Sequence, residues 1–139
     1  MHGREIVQTF ERTDIKNIST IRNVVFKAFD TVVDEPDTDE LDLFKELVIG
    51  ELLTNAVKYG RPYITVELRL INDSVIVSVS DQGKGCDPSI LKCEDLTDGL
   101  DDSTHGRGLK LAETLSDELT FVKERDRFTV IARKHLSLN

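Results

Sequence analysis

No apolar run in this chain of 139 residues approaches the length of about 18 that a membrane-spanning helix needs. The first residues, Met1-His2-Gly3-Arg4-Glu5, lack the apolar core of a signal peptide. Cysteine is nearly absent. Cys86 and Cys93 stand alone, without metal-ligand spacing, which argues against a disulfide scaffold or a zinc site and predicts reduced thiols in the cytoplasm. Basic residues are also in deficit: 18 Lys and Arg against 26 Asp and Glu give a net charge of -8. A general nucleic-acid surface needs a basic footprint, so this charge suits a basic protein partner better. Proline is scarce, at three residues, and Pro36 and Pro62 fall where helices are expected to break.

What is present fits one soluble globular domain. The chain is 39% hydrophobic and 32% charged, long enough for a core and too apolar for disorder. The expected boundaries are 1–139 for the domain, with a core over about 5–135.

The most informative stretch runs from Glu51 to Gly60, ELLTNAVKYG. Glu51, Asn55 and Lys58 are spaced by four and three residues, which sets them on one face of a helix. Leu47, Val48, Leu52 and Val57 give the same helix a side to bury. A carboxylate, an amide oxygen and an ammonium on one stripe make poor core residues and a good set for a metal ion and phosphates. Mg²⁺ accepts hard oxygen ligands and takes few of them from protein. The same spacing also serves an ordinary solvated face with i,i+4 pairing.

Around that stretch the pattern predicts the following elements. Glu5 to Arg12 has strand composition. Ile15 to Val33 is an amphipathic helix capped by Thr13 or Asp14, with Arg22 close to its apolar stripe, as an interface rim residue or a snorkelling surface side chain. The acidic break from Asp34 to Glu40 precedes a second helix, from about Asp39 to Tyr59, stopped by Gly60. Tyr63 to Leu70 and Val75 to Ser80 alternate apolar and polar residues around an Asn-Asp-Ser turn, an antiparallel hairpin with one covered face.

Asp81-Gln82-Gly83-Lys84-Gly85 begins where the hairpin ends. A carboxylate there accepts hydrogen bonds from an exocyclic amine, and Gly83 and Gly85 allow close backbone approach. A loop follows, with five acids between Cys93 and His105, read as a lid over about 93–107 or as a surface loop. Gly106-Arg107-Gly108 then enters a third helix with Lys110. Free N–H groups and the positive dipole end make such an entry a phosphate cradle. Five of the eight glycines lie between Gly83 and Gly108. Two last strands, Glu118 to Lys123 and Phe128 to Arg133, close the chain.

Taken in order, Glu51/Asn55 on a helix, Asp81-x-Gly-x-Gly at a strand end, a variable loop and Gly106-x-Gly108 before a helix resemble the ATP-binding fold shared by DNA gyrase, 90-kDa heat-shock chaperones, histidine kinases and mismatch-repair ATPases. Within that superfamily the chain resembles the anti-sigma factor serine/threonine kinases. The resemblance implies an α/β (α+β) two-layer sandwich, a mixed, mostly antiparallel sheet with helices on one face. It implies an ATP- and Mg²⁺-dependent kinase that phosphorylates a small anti-sigma factor antagonist and sequesters a sigma factor, acting as a homodimer. It implies Glu51 as general base and Asn55 as the Mg²⁺ ligand. Lys58 would approach the phosphates, and Asp81, Gly83 and Gly85 would seat the adenine. Gly106, Arg107, Gly108 and Lys110 would hold the phosphates, and Thr129 would meet adenine through water. Two departures stand out: Thr104-His105 replaces the Arg that often precedes the second glycine motif, and Arg127-Phe128-Thr129 replaces the usual Gly-Thr. A nucleotide-gated binding module without kinase activity, or a plain ATPase, fits the same motifs.

Overall fold

The structure is a computed structural model that describes residues 4–10, 18–33, 39–59, 63–82, 110 and 112–136. Strand β1 covers Arg4–Phe10. Helix α1 covers Ile18–Val33. A second helical rod is built from α2 (Asp39–Leu43), a π-helical segment (Phe44–Ile49) and α3 (Gly50–Tyr59). Strands β2 (Ile64–Ile71), β3 (Ser74–Asp81), β4 (Glu118–Lys123) and β5 (Phe128–His135) complete the sheet, in the order β1-β2-β3-β5-β4. Every pairing among these strands is antiparallel. None of the described helices is long and apolar enough to cross a membrane.

The hairpin follows from local chemistry. Ile71 pairs with Ser74, leaving a two-residue loop. Asn72 takes φ 55° there, a left-handed conformation that asparagine tolerates better than most side chains. Asp73 O then accepts from Leu136 N–H at 2.7 Å, which fastens the chain beyond β5 to the turn.

Alternation decides which side of the sheet is covered. Ile64, Val66 and Leu68 on β2 and Val75, Val77 and Val79 on β3 are buried under the helices. Helix α1 packs on β1, β2 and α3, and α3 packs on β3. Val25, Phe29 and Val32 of α1 meet Phe44, Val48, Ile49, Leu52 and Leu53 of the second rod in one core. Each such side chain contributes roughly 1.5–3 kcal/mol of transfer free energy.

The opposite face carries no helix among the described residues. It presents Glu5, Val7 and Thr9 of β1 beside Arg69, Glu67 and Thr65 of β2. The Glu67 carboxyl is pushed above the usual glutamate range, chiefly by its hydrogen bond with Glu5, then by partial burial and the nearby Glu5 charge, with Arg69 acting in the other direction. The folded state therefore holds a proton that the unfolded chain releases sooner. That stabilisation is complete below the ordinary glutamate pKa and is lost as pH rises through the raised value. Urea midpoints of the wild type should fall across that window, and Glu67→Gln should flatten the fall. An equally steep fall in the variant would show that Glu67 is not its source.

Candidate functional site

Topology brings the last turns of α3 and Asp81 toward one end of the sheet. Thr65, at the start of β2, pairs with Ser80 near the end of β3, and Asp81 pairs with Phe128. Helix α3 ends at Tyr59, only a few residues before Ile64, so its last turns approach that same sheet end. Asp81 continues the buried phase of Val75, Val77 and Val79 and is 4% exposed on the helix-covered side. A carboxylate so placed is the one buried charged side chain among the described residues. Burying it unpaired is costly, and it is engaged in an interaction in the fold.

On α3 the opposite pressures sort the helix into two faces. Leu52, Leu53, Ala56 and Val57 are buried, whereas Glu51, Thr54 and Asn55 are half-buried. Thr54 Oγ1 donates to Gly50 O at 2.8 Å, a local back-bond that leaves its neighbours Glu51 and Asn55 to other partners. Asn55 Oδ1 is buried and accepts no hydrogen bond among the described residues. An amide oxygen in that state is expensive unless something binds it. A hard cation is the partner that its chemistry suits, so the residues present fit a Mg²⁺ ion.

Arg22, on α1, faces the start of α3. Its guanidinium approaches within 3.6 Å of where a Cβ on Gly50 would stand, and it sits 5.6 Å from the Phe26 ring centroid. Its Nε is buried with no partner among the described residues, so this part of the half-buried side chain packs between α1 and α3.

Not every expected residue joins the group. Thr129 neighbours Ser80 in register, and their hydroxyls hydrogen-bond at 2.9 Å on the helix-free face. Strand alternation therefore turns Thr129 away from Asp81, and it does not line the Asp81 side of the sheet. The residue beside Asp81 on the covered side is Phe128, which is 7% exposed and stacks on Phe121 at 6.2 Å. Sequence reading missed Phe128 because the register between β3 and β5 is a non-local fact. Lys58 belongs to α3, and Lys110 is helical and exposed. Gly83, Gly85, Gly106, Arg107, Gly108 and the lid over about 93–107 lie outside the described residues.

Comparison with known proteins gives the family and the fold. The family model for the histidine kinase-like ATPase domain matches residues 12–134, so the chain belongs to that family. It is an ATP-binding domain of that type. In fold it is similar to the RsbU and RsbW domains of Rv1364c from Mycobacterium tuberculosis, with a TM-score of 0.65 and 20% identity. That match covers 98% of this chain and 33% of the other, so this chain spans about a third of that protein's length. It is also similar to the Acinetobacter baumannii histidine kinase AdeS, with a TM-score of 0.54 and 14% identity over 97% of this chain and 70% of the other. No curated protein matches it in sequence.

Proposed function

We propose that this chain is an ATP- and Mg²⁺-dependent serine/threonine protein kinase that acts as a cytoplasmic anti-sigma factor. It phosphorylates a small antagonist protein, sequesters a sigma factor and works as a homodimer. The observation that carries this reading is the order of groups on α3. Asn55 offers a buried oxygen with no partner among the described residues, and Glu51 follows one turn toward the helix start. Family membership supports the nucleotide. The motif order in the sequence supports the kinase class.

Each residue then has one task. Asn55 would hold Mg²⁺, which supplies charge neutralisation on the phosphates. Asp81 accepts the exocyclic amine of adenine. Glu51 takes the proton from the acceptor hydroxyl as that oxygen bonds to the terminal phosphorus of ATP, and the bond from phosphorus to the ADP oxygen breaks. Phosphoryl transfer of this kind depends on positioning and electrostatics, with little covalent work for the protein.

The test is transfer of radiolabel from γ-labelled ATP to candidate antagonist proteins. Acid-stable label on serine or threonine is the expected result. ATP binding without transfer to any antagonist would favour a nucleotide-gated binding module. Hydrolysis that needs no protein acceptor would favour a plain ATPase.

A further inference from the structure

The row that carries Glu51 and Asn55 does not begin at Glu51. Leu43, Leu47, Glu51 and Asn55 recur every four residues along the second helical rod. In a regular α-helix such a row drifts by about 40° per step, because the turn holds 3.6 residues. The wider π-helical segment from Phe44 to Ile49 advances less than about 100° per residue and so offsets part of that drift. It also lets Phe44 and Ile49, five residues apart, both reach full burial. Leu43 and Leu47 are left outside, 46% and 39% exposed. The other large exposed apolar side chains among the described residues, Val7, Tyr63 and Val122, belong to β1, the approach to β2 and β4 respectively.

We propose that Leu43 and Leu47 form the seat for the acceptor protein. This rests on the kinase reading and extends it to substrate choice. The order along the rod gives the reason. If phosphates lie at Asn55 and the acceptor hydroxyl at Glu51, the next turn, about 6 Å further along the axis, meets whatever flanks that hydroxyl. Leu47 occupies that turn and Leu43 the one beyond. ATP extends the other way, toward Asp81, so the nucleotide does not cover them.

Charge names the partner further. Asp42 and Glu46 run beside the two leucines, again four residues apart. Lys45 does not neutralise them: it turns toward α1, 3.0 Å from Asp30 Oδ1 and 5.8 Å from the Phe26 centroid. The seat therefore fits a segment in which the accepting serine or threonine is flanked by an apolar side chain with a basic residue beside it. Acidic rows of this sort steer a basic partner more than they hold it.

The test uses the full chain and whichever antagonist the wild type labels. Leu43→Ser/Leu47→Ser should raise the KM for the acceptor by about tenfold, with kcat at saturating acceptor and Mg²⁺-ATP affinity unchanged. Leu43→Met/Leu47→Met, which keeps the apolar surface, should keep the wild-type KM, and the unchanged kcat and Mg²⁺-ATP affinity of the serine variant exclude a fold defect. An unchanged acceptor KM in the double serine variant would overturn the seat while leaving the kinase reading intact. So would dissociation of a wild-type dimer with the acceptor KM unchanged, which would assign the leucines to a second copy of the chain. A wild type that binds ATP and labels no antagonist would remove the kinase reading, and the seat with it.

Discussion

Glu51→Gln should lower phosphoryl transfer to a protein acceptor by about 10²–10⁴-fold, the usual range for loss of a general base. Glutamine keeps the shape of the side chain and its hydrogen-bonding reach, but it takes up no proton at neutral pH. The half-buried position of Glu51 on α3 is not on the core face, so the substitution spares Leu52 and Leu53 and with them the fold. ATP affinity should therefore stay at the wild-type level, because Asn55 and Asp81 are untouched. Single-turnover transfer, measured beside equilibrium ATP binding, separates the two. Wild-type transfer by the variant would remove the base role from Glu51 and leave positioning as its only task.

Phe44→Ala should cost about 3–5 kcal/mol of folding stability, the range for truncating a fully buried aromatic. Phe44 is 0% exposed and its ring lies 6.2 Å from that of Phe29. It is the first residue of the π-helical segment, so it anchors the wide turn as well as filling volume. Leu43→Ala, one residue earlier on the exposed side, should stay within about 0.5 kcal/mol, as surface substitutions do. Urea unfolding of both variants reports the contrast. Equal costs at the two positions would mean that the rod is phased differently around its axis.

Much of this architecture is legible in the sequence because it is local. The alternation in Tyr63 to Leu70 and Val75 to Ser80 gives the hairpin and its covered face, and the pairing of Ile71 with Ser74 bears it out. The spacing of Glu51 and Asn55 gives the half-buried face of α3. The Asp81-x-Gly-x-Gly stretch marks the end of the strand to within one residue, since β3 runs on to Asp81 in the same alternating phase. What was not legible depends on distant pairing or on an unusual turn. Thr129 matched a family position by residue type, but only the register of β5 on β3 reveals that its hydroxyl meets Ser80 and that Phe128 stands beside Asp81. The π-helical segment left a faint trace, the five-residue interval between Phe44 and Ile49, which a 3.6-residue period absorbs without notice. Arg22 was ambiguous because one guanidinium can snorkel or pack, and only the neighbouring Gly50 shows that there is room for it between two helices.

The most direct test of the account is ATP binding with and without Mg²⁺, by the wild type and by Asn55→Ala. Wild-type affinity should fall when Mg²⁺ is chelated, and the variant should bind weakly and show no response to the metal. Metal-dependent binding that survives in Asn55→Ala would contradict the assignment of its buried oxygen to a cation, and with it the site built around α3.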